Sequence, residues 1–540
     1  MITERMIINA LIIGASFILV PFIISSTLTV DYLPAYFLVI LLALALAFFV
    51  LKDTLCIWPL LGGSITGAMN FLPLPLEAKH VACILLIIYY IMGYVIIRQR
   101  KIKVGKPKFF WPILIITLIL LYHNHALNVR VAGGDTEGGK PAILIYLAVL
   151  AYFCGINIAT PSVDFLSKVP LYCVILAAIS SMPYLLSTYI PSLAPLLYTV
   201  TNSVNVGAYM ASESGSGPGG DSGGVIGRFA IFAPLGGVCQ VYLVSHYPIG
   251  TWVRPERWWV GGLSFICFIF AIASGYRSAL FGFAMITMVG AWCYYSWRSL
   301  FLPAGLIVVA LIVVVASSNN LIPLPTNKLP MIAQRSLSFL PGEWDQKAIE
   351  DAESSNFFRK NIQDVYIKEY LKRSPWIGKG FSIDTKEFDY YNAMATQGSR
   401  ADQDYYQAKI FIEGQILHTG WLSVYDIVGI IGGIAFVALG GIEIWAATHF
   451  VFGPKADQRS SLFPFYVWIL CNLVTMMLGF FMVFGDFKDI IIDLCIYAIV
   501  LSHLFDIENT TETPIVPPDR KGQAEFSRLG GAYYGYQSKS

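Results

Sequence analysis

The chain has 540 residues, of which 56% are hydrophobic and 13% are charged, and its formal net charge is +2. Soluble domains carry about 25% charged residues, so this composition excludes an ordinary soluble protein and indicates a helical protein of the lipid bilayer. The small net charge, without a basic patch interleaved with aromatic residues, gives no indication of nucleic-acid binding.

Apolar segments long enough to cross a hydrocarbon core of about 30 Å recur along the whole chain. We predict spans at 6–26, 33–51, 55–72, 81–97, 109–127, 141–159, 169–190, 231–247, 258–274, 278–295, 300–317, 418–448, 462–484 and 490–505. The pattern predicts an all-α, polytopic transmembrane helical bundle of about 12–14 spans, with about 11 in residues 1–317 and about three in 418–505.

The distribution of Lys and Arg predicts the orientation, because these residues accumulate in cytoplasmic loops. The basic run from Arg98 to Lys108 is therefore expected in the cytoplasm, together with the N-terminus. Counting spans from it places residues 318–417 outside, as a mostly helical lid domain. The tail, residues 506–540, is rich in Gly, Pro, Tyr and charge, and is predicted to be cytoplasmic and disordered.

Two arginines are expected near the outer boundary of the membrane. Arg228 ends an outer Gly-rich loop that lacks the Gly-Lys-Ser/Thr ending of a nucleotide-binding loop, so ATP is excluded there. Arg277 follows Ser274-Gly275 inside an apolar stretch that is too long for one helix and right for two, which predicts a tight hairpin. An arginine costs about 2.5–3.5 kcal/mol at the centre of a membrane helix, so Arg277 needs a partner. It either snorkels to a lipid phosphate or holds a diphosphate bidentately.

The lid contains one clear helical pattern, from Ser355 to Arg373. Apolar side chains recur there at helical spacing, and Ser-Pro-Trp-Ile-Gly-Lys-Gly follows as a stop signal. Arg359 lies near the start of this helix, where an arginine commonly pairs with a neighbour such as Glu353.

His418 begins the span that follows the lid. A histidine can accept a proton near neutral pH, as a base that activates a hydroxyl must, although a lone histidine at a helix end can also be a capping residue. Asp426 lies eight residues further on, a spacing that predicts the same helix face. It either orients a neighbour by hydrogen bonding or pairs with a buried donor. No second histidine or cysteine stands at ligand spacing, so no metal site is predicted.

The order of these motifs resembles the O-antigen ligase and O-antigen polymerase superfamily of bacterial membrane glycosyltransferases. The resemblance covers about 215–440: an arginine after an outer glycine loop, Ser-Gly-x-Arg-Ser-Ala-Leu between spans, a long loop with Phe-Phe-Arg and Ser-Pro-Trp-Ile-Gly-Lys-Gly, and His-x3-Leu before Gly-Ile-Ile-Gly. The chain departs from the family pattern at Thr419, where an Asn is usual, and at Asp426, which stands one position before the usual Glu.

The resemblance implies that Arg228, Arg277 and Arg359 surround the diphosphate of an undecaprenyl-linked glycan donor. It also implies that His418 activates a hydroxyl of the acceptor, either lipid A-core or a growing polysaccharide, with Asp426 in an orienting role. No cofactor is expected. The site would face the periplasm from the bacterial inner membrane.

Two alternatives stay open from the sequence. A polymerase of O-antigen or exopolysaccharide belongs to the same superfamily and shares the donor chemistry. A lipid-linked sugar flippase or another polytopic transporter would also need arginines near a diphosphate.

Overall fold

A computed structural model describes residues 53–69, 76–97, 107–126, 139–204, 229–252, 254–295, 329–339, 343–382, 385–396, 399–417, 419–454, 456–482 and 485–511. The helices of these residues are α1 (Trp58–Gly63), α2 (Ala78–Ile97), α3 (Pro107–Ala126), α4 (Gly139–Gly155), α5 (Val163–Tyr189), α6 (Ala194–Val200), α7 (Phe232–His246), α8 (Trp258–Ala273), α9 (Arg277–Tyr295), α10 (Met331–Leu337), α11 (Gln346–Glu369), α12 (Thr385–Ala395), α13 (Arg400–Glu413), α14 (Gly420–Phe452), α15 (Phe463–Met482) and α16 (Phe487–Thr511). The described strands, β1 (Ala68–Met69) and β2 (Leu76–Glu77), form one short antiparallel pair. The predicted all-α class is confirmed.

The apolar helices form a bundle whose centre is α14. This helix packs against α3, α15 and α16, while α7 packs against α8 and α9. Within the described residues, five helices are long and apolar enough to cross a membrane: Val163–Tyr189, Pro255–Ala273, Gly420–Phe452, Phe463–Met482 and Phe487–Thr510. The polytopic character predicted from the sequence is therefore confirmed.

The surface of α3 illustrates how the bundle meets lipid. Trp111 and Leu118 are 59% and 54% exposed, whereas Ile113 and Leu120, on the other side, are each 1% exposed. A helix that is apolar on both its buried and its exposed face is typical of a membrane span, because lipid replaces water around it.

One predicted span, 55–72, is wrong. A 3-10 turn and the six residues of α1 end at Gly63, and the chain then forms β1. Gly62 and Gly63 weaken the helix, and Gly67 turns the chain with φ +88°. The predicted spans 6–26, 33–51 and 300–317 lie outside the described residues.

The described residues of the lid, 318–417, are mostly helical. The amphipathic helix predicted at Ser355–Arg373 is confirmed as α11, which begins nine residues earlier and ends at Glu369. Its apolar face packs against α13 and the start of α14 in a cluster of Ile362, Val365, Tyr366, Tyr370, Ala408, Ile412, Leu417 and Leu422. The lid thus has a small core of its own that reaches the first turn of a membrane helix.

Candidate functional site

The hairpin predicted before Arg277 is present. Helix α8 ends at Ala273, Gly275 adopts φ +74°, and α9 begins with Arg277. The left-handed conformation at Gly275 costs a glycine little, and it reverses the chain within three residues. Arg277 is half-buried, and its Nη2 donates a hydrogen bond to the Ser338 hydroxyl at 3.0 Å. A guanidinium carries five N–H donors, so this contact orients the group without exhausting it.

Helix α10 docks the lid onto this hairpin. The Ser336 hydroxyl donates to the carbonyl oxygen of Ile272, the penultimate residue of α8, at 3.0 Å. Arg335, only 7% exposed, forms an ion pair with Asp351 of α11. Arg277 is therefore connected to α11 through α10.

Helix α11 then connects the hairpin to the start of α14. Its 24 residues span about 36 Å. Asp351, Arg359 and Tyr366 fall within a sector of about 80° around its axis, because successive residues are about 100° apart. Arg359 is half-buried. It lies on the helix between Asp351, which pairs with α10, and Tyr366, which contacts α14.

The chain on either side of His418 is anchored to the lid. Leu417 is buried in the lid core, and the Gln363 amide of α11 donates to the Thr419 hydroxyl at 3.1 Å. His418 itself lies outside the described residues, as does Arg228. Helix α14 begins at Gly420 after an extended Thr419, so the helical spacing that predicted a shared face for His418 and Asp426 does not apply.

Asp426 is buried in α14 and is tied to the lid. The Tyr366 hydroxyl of α11 donates to its Oδ1 at 2.9 Å, and Lys379 Nζ lies 3.5 Å from its Oδ2. Burial and the charge of Asp426 raise the pKa of Tyr366, so the hydroxyl remains a donor. Asp426 thus accepts from the buried Tyr366 hydroxyl, and its role in orienting a neighbour stays a prediction.

Helix α14 is broken three residues after Asp426. Gly429 has φ +63° and ψ −164°, which interrupts the helical hydrogen bonds of its neighbours. The loop Ser374–Gly380 supplies replacements. Lys379 N donates to Asp426 O at 2.7 Å and Gly380 N to Ile427 O at 3.0 Å. In return, Ile430 N donates to Pro375 O at 2.9 Å and Ile431 N to Trp376 O at 3.0 Å.

These four bonds replace the two that an unbroken helix would make from residues 430 and 431 to residues 426 and 427. Unpaired backbone groups are costly where water is excluded, so the loop makes the break tolerable. The loop and α14 approach each other so closely that each must have a glycine at the contact. A Cβ at Gly429 would lie 2.4 Å from Ile377 N, and one at Gly378 would lie 2.5 Å from Ile427 C.

A cavity of about 220 Å³ lies between this loop, α11, α13 and α14. It is lined by Tyr366, Tyr370, Arg373, Ser374, Lys379, Ser382, Glu387, Glu413, Tyr425 and Asp426. Lys379 is the central cation: its Nζ lies 3.5 Å from both Glu413 Oε2 and Asp426 Oδ2. Burial, and then the charge of Glu413, raise the pKa of Tyr370.

Within the described residues, no group of three or more His, Cys, Asp or Glu side chains is arranged to hold a metal ion.

Comparison with known protein families gives a match to this part of the chain. Residues 262–437 match the family model described as O-antigen ligase. This match supports the resemblance to the O-antigen ligase superfamily. No curated protein matches the chain.

The O-antigen ligase match includes the elements that build the site. It extends from α8 across the hairpin of Arg277 and the lid to the middle of α14, beyond the break at Gly429. Arg359, His418 and Asp426 fall inside it, and Arg228 falls before it. The resemblance expected from the motif order is therefore confirmed at the level of the superfamily.

Sequence reasoning missed the cavity. It treated Ser-Pro-Trp-Ile-Gly-Lys-Gly as a helix stop and assigned no contacts to Lys379 or to Glu413, although both line the cavity. A signal was present: glycines at 378 and 380 flank a lysine, and another glycine, Gly429, lies inside an apolar span with an aspartate three residues before it. Such glycines indicate close backbone approach, but the sequence does not say that they approach each other.

Proposed function

We propose that this protein is a membrane glycosyltransferase of the O-antigen ligase type. It would move a glycan from an undecaprenyl-diphosphate carrier to a sugar hydroxyl on the periplasmic face of the bacterial inner membrane. The observation that carries the proposal is the position of α11. This lid helix carries Arg359, reaches the Arg277 hairpin through the Arg335–Asp351 ion pair, and binds Thr419, the residue after His418.

The chemistry assigned to these residues needs no nucleotide and no cofactor, because the diphosphate already activates the anomeric carbon of the donor. The acceptor oxygen forms a bond to that carbon, and the bond from the carbon to the diphosphate oxygen breaks. His418 takes the proton of the acceptor hydroxyl. Arg277 and Arg359, with Arg228, stabilise the charge that develops on the departing diphosphate.

The guanidinium of Arg277 suits this role for a physical reason. It is half-buried at the end of an apolar hairpin, so its charge is less screened by water than that of an exposed arginine. Its hydrogen bond to Ser338 sets the orientation of the group. Preorganised donors of this kind stabilise developing charge without reorganising during the reaction.

Transfer by the purified protein in vesicles tests the proposal, with a lipid-linked glycan donor and an acceptor glycan. We expect Arg277→Ala to lower the rate of transfer by about 10²–10³-fold, the range for losing one preorganised donor. Arg277→Lys should recover part of it, because lysine keeps the charge but not the bidentate fork. His418→Ala should lower the rate by about 10²–10⁴-fold, the contribution of a general base.

Arg459→Ala is the matched control, because Arg459 is exposed between α14 and α15, outside the proposed site. It should transfer glycan at the wild-type rate. Full activity in Arg277→Ala would remove the diphosphate assignment, and full activity in His418→Ala would remove the base. Protein that moves labelled lipid-linked sugar across the vesicle membrane, yet joins no glycans, would favour a flippase.

The glycan profile of a deletion strain separates ligase from polymerase. Loss of a ligase should leave long polymer on its lipid carrier, whereas loss of a polymerase should leave single repeat units attached to the core.

A further inference from the structure

The cavity beside Lys379 has features of a ligand site that the diphosphate chemistry does not use. We propose that it is a subsite for one neutral pyranose ring of the acceptor glycan. This inference rests on the proposed function, since it gives the acceptor a place on the enzyme. It is carried by the polar atoms of the cavity wall, by their charge balance and by the tyrosines beside them.

The polar groups around the cavity are not satisfied by one another. Lys379 Nζ lies 3.5 Å from a carboxylate oxygen of Glu413, 3.5 Å from one of Asp426, and 3.5 Å from the carbonyl oxygen of Ile412. Charge-assisted hydrogen bonds are normally about 2.7–2.9 Å long. All three contacts are therefore loose, and a hydroxyl that enters between these groups can bond to the cation and a carboxylate together.

Two of the oxygens make no hydrogen bond to any described residue. They are Glu413 Oε1 and Asp426 Oδ2, on residues that are 4% and 5% exposed. The nearest cations are Arg373, 4.0 Å from Glu413 Oε1, and Lys379, 3.5 Å from Asp426 Oδ2, so neither oxygen has a close donor. A buried acceptor without a close donor is costly, and a bound molecule can satisfy it. Sugar hydroxyls are donors, so they supply what these carboxylates lack.

The charge of the cavity argues against a second phosphate site. Its lining holds three carboxyl groups, those of Glu387, Glu413 and Asp426, and two cations, Arg373 and Lys379, so its formal charge is not positive. Such a balance gives an anion no net attraction. The lining thus differs from the Arg277 hairpin, where the guanidinium has a neutral hydroxyl, that of Ser338, as its hydrogen-bond partner.

Aromatic rings complete the wall. Tyr366 and Tyr370 are stacked, with centroids 5.8 Å apart and planes 15° apart, and the Arg373 guanidinium lies 4.1 Å over the Tyr370 ring. Tyr366 and Tyr370 are only 1% and 3% exposed, so the stacked pair gives the cavity a rigid wall.

The dimensions and location fit a single ring. A volume of about 220 Å³ lies below the roughly 300–1,000 Å³ of pockets for drug-sized ligands, so the cavity encloses a small group and the rest of a longer glycan would lie outside it. The outer rim is open, because the side chains of Arg373 and Glu387 are 50% and 38% exposed. Tyr366 of the cavity lies one helical turn after Gln363, which holds the residue next to His418. An acceptor ring in the cavity can therefore extend towards the proposed base.

Saturation-transfer NMR on the purified full-length protein tests this subsite directly. The neutral probes are D-glucose, D-galactose and N-acetyl-D-glucosamine, and the anionic probes are D-glucose 6-phosphate and inorganic pyrophosphate. We expect saturable binding of at least one neutral probe, and weaker binding of the two anionic probes.

Two variants address the cavity, and a third is the control. Ser374→Phe fills the cavity and should abolish the binding, whereas Glu387→Gln at the exposed rim should weaken it about tenfold by removing a charged hydrogen-bond acceptor. Glu353→Gln makes the same chemical change on an exposed position of α11 and should bind like the wild type. In the transfer assay, Glu387→Gln should raise the KM for acceptor more than it lowers kcat.

Several results would overturn the subsite: no neutral probe binds the wild type, neither cavity variant weakens binding, or pyrophosphate binds in a manner that Ser374→Phe removes. Wild-type protein that binds a neutral sugar through the cavity but transfers no glycan would support the subsite and overturn the proposed function. Transfer with no cavity-dependent binding of sugar would overturn the subsite alone.

Discussion

The lid is attached to the membrane helices at two places, and the attachments differ in kind. At the α14 break, loop Ser374–Gly380 is joined by four backbone hydrogen bonds and by the partly buried Lys379. At the α8–α9 hairpin, helix α10 is joined through side chains, with Arg277 donating to Ser338 and Ser336 donating to Ile272 O.

This difference indicates that the attachment at the α14 break supports the fold, whereas the attachment at the hairpin can take part in function. Backbone bonds that complete a broken helix must persist, because releasing them would leave eight polar groups unpaired, four of them on α14. A side-chain contact from Arg277 can be exchanged for a ligand oxygen at little cost, since hydrogen bonds of similar strength replace each other. We therefore expect changes at the break to lower stability and changes at the hairpin to lower activity.

The largest loss of stability is expected from Lys379→Met. The variant leaves Glu413 and Asp426, both buried, without their shared cation, and removing one partner of a buried ion pair typically costs about 3–5 kcal/mol. Thermal unfolding in detergent measures the effect. Lys372→Met, at an exposed position two residues before the loop, should unfold like the wild type. Equal unfolding of the two variants would show that the buried cluster does not hold the lid.

A smaller loss is expected from Gly429→Ala. Alanine is strained at φ +63°, which costs about 1–3 kcal/mol, and its Cβ would also displace the backbone of Ile377. Gly441→Ala in the same helix is the matched control, because a Cβ there meets nothing within 4 Å. Replacing glycine inside a regular helix should raise stability by up to about 1 kcal/mol. If both variants unfolded at the same temperature, the break would not depend on the loop.

The smallest effect is expected from pH acting on the contact between α11 and α13. Burial alone would raise the pKa of Glu369, but hydrogen bonds from Lys409 at 2.8 Å and from Tyr405 at 2.5 Å hold it below its usual value. A lowered folded pKa means that this contribution is present above about pH 4.5 and is lost as the pH falls through the folded value.

Because the Glu369 side chain is 31% exposed, the contribution should be about 1 kcal/mol or less. Hydrogen exchange of α13 amides between pH 6 and pH 3 reports it, after correction for intrinsic rates. Glu369→Gln should remove the pH dependence of exchange. If the variant retained this pH dependence, another group would be its cause.

The sequence predicts local features of this protein better than contacts between distant segments. The hairpin at Gly275 follows from the length of one apolar run, and α11 follows from the spacing of its own apolar residues. The break at Gly429 could not be predicted, because its cause is a loop about 50 residues earlier that supplies the missing hydrogen bonds. The segment 55–72 was misread as a span because hydropathy does not distinguish a span from a short helix followed by a strand.

The cavity was missed for a related reason. Lys379, Glu413 and Asp426 come from three separate elements, and the sequence does not show that they meet. The candidate residues that the sequence did single out, Arg277, Arg359, His418 and Asp426, lie within the O-antigen ligase match. Their roles remain predictions.

The central claim is that Arg277 binds the diphosphate of the donor. The affinity of the purified protein for undecaprenyl diphosphate tests it most directly, because binding is measured separately from every later step. We expect Arg277→Ala to bind at least about tenfold more weakly than the wild type, Arg277→Lys to lie between them, and Arg459→Ala to match the wild type. Equal affinity of Arg277→Ala and the wild type would contradict the account.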